Sequence, residues 1–336
     1  MNAPIANDRG REAQHPSEIT PKGWWDVLRR VGKRIGSDNV TLVSGGVAMY
    51  LLLSVFPGLA AFVSVYGLIA SPADVIQHMK DFSAVLPPGV WDIFNTQLQS
   101  LVRQDQRTLG LGVVLGIGLA LWSARSAMSA MMTSTNIAYG EREKRSYLRQ
   151  ALLSLLLTLG AITGFLAMLL LGVAIPVVLK VLGTSDIVQI IATVLRLTLL
   201  WALAVLGLAF IYRYAPSREH ARWRWVTVGS AIAATLWLGA SALFALYVQH
   251  FSSYGKTYGA LGSVIVLLMW FYISSVIAVL GAELNAESER QTRRDTTARD
   301  APLGQRGAFA ADTVGPSAGE PAPPSPAEHK SSVAGK

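Results

Sequence analysis

Six stretches of the chain are almost wholly apolar, separated by polar and basic segments. They are Val40–Ala70, Leu109–Thr133, Ala151–Leu179, Ile187–Tyr212, Val226–Gln249 and Thr257–Ala282. Each is long enough to cross a hydrocarbon core of about 30 Å, which takes about 20 helical residues. Four carry no charged residue, and the other two carry one each, Arg125 and Arg196. The runs lack the alternation that barrel strands require. The pattern predicts an all-α, polytopic membrane protein built as a six-transmembrane-helix bundle.

The polar segments predict the rest of the organisation. Residues 1–20 have no apolar period and are expected to be disordered. Thr20-Pro21 has the form of an N-cap followed by a first-turn proline. Trp24, Leu28, Val31 and Ile35 then recur at helical spacing, with Arg29, Arg30, Lys33 and Arg34 opposite. Residues 21–38 therefore read as an amphipathic helix lying in the membrane interface. The membrane domain covers 39–286, and its one substantial outer loop is 71–108. There Val75, Ile76, Met79 and Phe82, then Trp91, Phe94, Leu98 and Leu101, suggest two amphipathic helices around Pro87-Pro88-Gly89. From 287 to 336 the apolar pattern fades, which predicts a disordered tail. Pro57-Gly58 inside the first span predicts a kink or a partly unwound turn.

Composition agrees: 51% of the 336 residues are hydrophobic and 15% charged, with mean hydropathy +0.39. The net charge of +8 could suggest nucleic acid, but its placement does not. The N-terminal segment, the loops after the second and fourth spans and the tail carry seven, four, four and seven basic residues. The intervening loops carry three, one and one. Such asymmetry places the richer side in the cytoplasm. Both termini are expected there, and no nucleic-acid partner is implied. Cysteine is absent, which excludes disulfides and thiolate chemistry.

Few constellations could carry chemistry. At 100° per residue, Arg125, Ser126, Ser129, Thr133 and Asn136 share an arc of about 100° on the second span. An arginine in hydrocarbon is costly, so this stripe should face protein or a wet cavity. It could wall a substrate path or form a hydrogen-bonded seam between helices. On the sixth span Tyr272, Ser275 and Glu283 share a face, which makes an Arg125–Glu283 pair reasonable. Arg196 could snorkel toward the outer interface. Gly112-x3-Gly116 and Gly160-x3-Gly164 have the spacing that lets membrane helices approach closely. Gly255-Lys256-Thr257 lacks the preceding glycine and strand of a phosphate-binding loop. The five histidines are scattered, with no metal-ligand spacing or hydrolytic triad. No catalytic residue, cofactor or metal is expected.

Several strings resemble the YihY/BrkB family of bacterial inner-membrane proteins, once labelled ribonuclease BN. They are Gly46-Val-Ala-Met-Tyr-Leu-Leu-Leu-Ser-Val-Phe-Pro57, Leu121-Trp-Ser-Ala, and Asn136-Ile-Ala-Tyr139 with Glu143 and Arg145. The last runs from Tyr258-Gly-Ala-Leu-Gly262 through Leu-Leu-Met-Trp270 to Gly281-Ala-Glu-Leu-Asn285. The likeness covers roughly 24–286 and implies a six-helix bundle with both ends cytoplasmic. Pro216-Ser217 stands where the family pattern leads one to expect Pro-Asn. Links of some members to lipid or lipopolysaccharide export and serum resistance imply a translocation role. The nuclease label lacks a carboxylate or histidine cluster here to hold catalytic metal.

The resulting expectation is an inner-membrane transporter or lipid translocator, not an enzyme, with membrane lipids and an anionic substrate as partners. Its path would run between the first, second and sixth spans. Tyr50, Ser54 and Pro57 would form a gate, Arg125 an anion contact and Glu283 the balancing charge, while Asn136 would supply hydrogen bonds and Ser129 and Tyr272 complete the candidate path. The alternative is a non-transporting scaffold for envelope assembly.

Overall fold

A computed structural model describes residues 9–69, 106–174, 185–250, 260–298 and 300–317. The expected outer-loop helices, the span ends near 179 and 257, and the tail beyond 317 lie outside the described residues. Among the described residues are seven longer helices, α1 (Pro21–Ser37), α2 (Val40–Ile69), α3 (Gln106–Ala138), α4 (Tyr147–Leu169), α5 (Asp186–Tyr214), α6 (Trp223–His250) and α7 (Ala260–Glu289). A short α8 (Phe309–Asp312) follows. Among the described residues there is no sheet, only one isolated antiparallel bridge, Ala221 with Thr297.

Five helices contain segments long and apolar enough to cross a membrane: Val40–Gly58, Tyr147–Gly172, Ile187–Tyr214, Trp223–Val248 and Val264–Glu289. The sixth expected crossing lies in α3, which has the length at 33 residues. Arg125 and the serines and threonines around it make α3 more polar than the other five. The helices pack in chain order, α2 on α3, α3 on α4, α4 on α5, α5 on α6 and α6 on α7. Contact of α7 with α2 closes the ring, and α7 also touches α3.

Several boundaries differ from expectation. α2 stays helical through Pro57, so no unwound turn forms. Membrane helices tolerate an internal proline because neighbouring groups take up the freed backbone. α7 runs seven residues past Ala282, so Glu283 sits about two turns inside a helix rather than at its end. The extension is possible because partners from α1, α6 and the tail hold its polar residues.

The described parts of both terminal segments correct the expected disorder. Residues 9–20 pack through Ala13 and Ile19 against Trp225, and Arg9 pairs with Asp26 at 2.7 Å. Residues 287–317 are folded across the same end of the bundle. Buried Arg306 donates to the carbonyls of Arg293, Arg294, Ala301 and Ala311. Asp312 accepts from the backbone N–H groups of Gly304, Arg306 and Gly307. These bonds from side chain to backbone leave no apolar period, the signal from which order is read in sequence.

The helix α1 begins as expected, with Thr20 Oγ1 accepting from the Gly23 N–H. Its orientation is different. Val27 and Val31 pack on Leu284 of α7, and Arg30 and Arg34 turn the same way. Leu28 and Ile35 face outward together with Trp25. Glu287 of α7 draws two of α1's three arginines inward and rotates the helix away from the purely apolar docking face.

Candidate functional site

One end of the bundle gathers α1, the α3–α4 and α5–α6 connections and the chain after α7; it is called the basic end below. Arg222 N–H bonds to Thr296 O at 2.8 Å, Lys144 N–H to Ser217 Oγ at 3.0 Å and Phe309 N–H to Glu141 Oε1 at 2.6 Å. The four basic segments of the sequence are thus on one side.

Asn136 and Asn285 clamp this end. α3 ends at Ala138, and Gly140 follows with φ +69°, the left-handed conformation favoured at a helix C-terminus. The turn leaves buried Asn136 to accept the Ser217 N–H at 2.6 Å and to donate to Glu143 at 3.2 Å. Asn285 accepts from the Gly229 N–H at 2.8 Å and donates to Val226 O at 3.1 Å. Its side chain thereby reaches the backbone of α6 at a glycine. Burial alone would raise the Glu143 pKa. The Arg145 N–H, the Arg145 guanidinium, Ser217 and Asn136 outweigh that and hold it below the usual carboxylate value.

Two carboxylates near the end of α7 are answered by arginines. Glu289 takes both arms of the Arg218 guanidinium at 2.8 Å each, and Thr296 Oγ1 adds a third bond at 3.0 Å. The guanidinium lies 3.9 Å over the Tyr139 ring. Burial would lower the Arg218 pKa, but Glu289 beside it drives it upward. Burial with little compensation pushes the Tyr139 hydroxyl well above its ordinary range. Glu287 receives Arg30 Nε at 2.6 Å, Arg290 at 2.6 Å and Arg34 Nε at 3.3 Å. Arg34 also pairs with Asp38 at 2.8 Å.

Glu283 is the exception. It is fully buried, and among the described residues neither of its carboxyl oxygens receives an N–H or hydroxyl donor, the Asp38 carboxyl being the side chain that faces it. Its charged neighbours are Asp38, Arg34 and Glu287. Arg34 is occupied by Asp38 and Glu287, so the carboxylate of Glu283 is left facing acidic groups.

The expected site residues only partly converge. α2, α3 and α7, which carry them, are in mutual contact. The Arg125–Glu283 pair does not form. Arg125 turns to α4, donating to Ser154 Oγ at 3.0 Å with its guanidinium 5.3 Å from the Trp122 ring centroid and 5.8 Å from that of Tyr147. The stripe on α3 also divides. Ser126 and Thr133 return their hydroxyls to the carbonyls of Trp122 and Ser129, while Asn136 is buried in the clamp. On α2, Tyr50 is exposed, Ser54 donates to Leu51 O at 2.7 Å, and Pro57 is half-buried. Tyr272 is half-buried on α7. Arg196 keeps its Nε buried without a hydrogen-bond partner among the described residues.

Arg218, Glu289, Glu287, Asp38 and Asn285 were not singled out by chemistry in the sequence. Asn285, Glu283, Asn136 and Glu143 do lie in the strings that carried the family resemblance. The structure brings those strings to one place.

The comparisons with known proteins follow the same residues. The family model described as Virulence factor BrkB matches residues 31–305. A putative ribonuclease-like protein, YfkH of Bacillus subtilis (strain 168), is 31% identical over 253 residues, covering 72% of this chain and 88% of its own. A UPF0761 membrane protein of Idiomarina loihiensis is 24% identical, covering 78% of this chain and 90% of its own. One from Psychromonas ingrahamii is 28% identical, covering 79% and 88%. No solved structure matches. The match spans α2 to α7 and the folded chain behind them, and this multi-pass membrane protein belongs to the BrkB family.

Proposed function

We propose that the chain is a transporter of the bacterial inner membrane that moves a lipid or another anionic envelope precursor along the α2–α3–α7 face, with both termini in the cytoplasm. Glu283 carries the reading. Burying a carboxyl group without an N–H or hydroxyl donor is costly, and ionisable groups held inside membrane domains mark substrate, ion or proton pathways. Asp38, at the junction of α1 and α2, faces it, so a change at Glu283 would be felt where α2 enters the bundle. Arg125 would supply an anion contact on the α3–α4 side. Among the described residues no group of three His, Cys, Asp or Glu side chains could hold a metal ion. The closely built basic end favours the alternative, a scaffold for envelope assembly.

Reconstituted vesicles decide between them. A fluorescent phosphatidylglycerol in both leaflets is bleached from outside with dithionite. The wild type should expose the inner-leaflet pool faster than protein-free vesicles. Glu283→Gln and Arg125→Ala should each slow that exposure about tenfold, an effect of about 1.4 kcal/mol on the barrier, while eluting as folded protein. Equal rates with and without the wild type would leave the scaffold reading.

A further inference from the structure

We propose that the outward face of α1 lies on anionic phospholipid headgroups, holding α1 as an in-plane helix at the edge of the bundle. This does not rest on the transport reading.

The inward face is fully used. Val27 and Val31 pack on Leu284, Asp26 pairs with Arg9, and Arg30 and Arg34 pair with Glu287. α1 cannot roll to bury its remaining apolar residues without breaking these ion pairs. Trp25, Leu28 and Ile35 stay exposed, at 64%, 53% and 36%. They share an arc of about 80°, and Arg29 and Lys33 lie on the next 80° or so. The acidic residue of α1, Asp26, faces inward, so this outward half carries basic charge alone.

The level of this face is set by what α1 touches. Ile19 clusters with Ala13 and with Trp225 in the first turn of α6, and Trp24 packs against that cluster and against the one that Val27 and Val31 form with Leu284 of α7. At that same first turn of α6, Trp223 stands edge-on to Phe210 at 5.3 Å and to Tyr214 at 6.3 Å. The Arg213 guanidinium lies 4.7 Å over the Trp223 ring. Tyr147 and Leu148, at the start of α4, are exposed beside the same connections. Aromatic rings with arginines at one level mark the boundary between hydrocarbon and headgroups. An apolar arc bordered by basic residues at that level matches acyl chains on one side and phosphates on the other.

The absence of cysteine makes the test direct. Spin labels on Trp25→Cys, Leu28→Cys and Ile35→Cys are read in nanodiscs, with Arg142→Cys as the water reference and Leu195→Cys as the lipid reference. The three labels should be more accessible to oxygen than to a water-soluble nickel chelate, as Leu195→Cys is. Labels as nickel-accessible as Arg142→Cys would overturn the proposal. So would labels protected from both reagents or broadened by a neighbouring label, because a protein surface would then cover the face. Charge preference is read separately. A fluorophore at Leu28→Cys should be quenched at least about threefold more by brominated phosphatidylglycerol than by brominated phosphatidylcholine. Arg29→Gln with Lys33→Gln should abolish the difference. Equal quenching by both lipids in the parent would overturn the anionic preference.

Discussion

At the scale of single residues, the polar side chains near the end of α7 divide into those answered by arginines and Glu283, which among the described residues faces the Asp38 carboxyl with no N–H donor. Glu289 and Arg218 form a two-armed pair with both side chains fully buried. Removing one member of such a pair strands the other and costs about 3–5 kcal/mol. Arg218→Ala and Glu289→Ala should each lower unfolding stability in detergent by about that amount. The double variant should lose less than the sum, since the second change removes the stranded charge. Additive losses would mean that the two side chains act independently. The sequence offered no route to this pair, because the partners lie 71 residues apart. Asn136 was legible as a polar residue needing partners. Its actual partners, the Ser217 N–H and Glu143, make it a clamp between connections and not a wall of the polar stripe.

At the scale of elements, glycine separates what spacing suggests from what packing requires. Gly160 and Gly164 have the close-approach spacing, yet a Cβ on either would meet no neighbour within 4 Å. The close crossing is between α6 and α7. A Cβ on Gly229 would run into Gly281 O and Asn285, and one on Gly281 into Tyr212 Oη and Ala233 Cβ. Gly281→Ala should therefore destabilise the protein by about 1–3 kcal/mol through overpacking. Gly160→Ala should be neutral or stabilising by up to about 1 kcal/mol, because alanine is the better helix former. Thermal unfolding of the two purified variants checks both, and a stable Gly281→Ala protein would show that α6 and α7 can separate at no cost. Both pairs sit in apolar helix with ordinary sequence spacing, so only the crossing point distinguishes them.

For the whole molecule, the ring of helices places the four basic segments together, and basic residues favour the cytoplasmic side. Arg142→Cys lies on an exposed turn at that end. In intact cells it should resist a membrane-impermeant maleimide, and in inverted membrane vesicles it should react. Labelling in intact cells would reverse the orientation. A reporter of cytoplasmic location fused after Lys336 should be active on the same grounds.

The membrane class, the approximate spans and the grouping of loops were all readable from the chain. Each rests on transfer energies or charges that add locally over about 20 residues. α2, α4, α5 and α6 appear close to where hydropathy put them, and the start of α1 follows from Thr20 and Pro21 alone. The tertiary structure decided how polar groups are satisfied, which depends on the phase and crossing of helices distant in sequence. It turned Arg30 and Arg34 inward to Glu287, sent Arg125 to Ser154, and set Glu283 against Asp38 with no N–H donor among the described residues. It also ordered residues 290–317, where an arginine and an aspartate bonded to backbone replace the apolar period that a reading of sequence requires. Hydropathy records the cost of leaving water, and it holds no information on which buried charge will meet which.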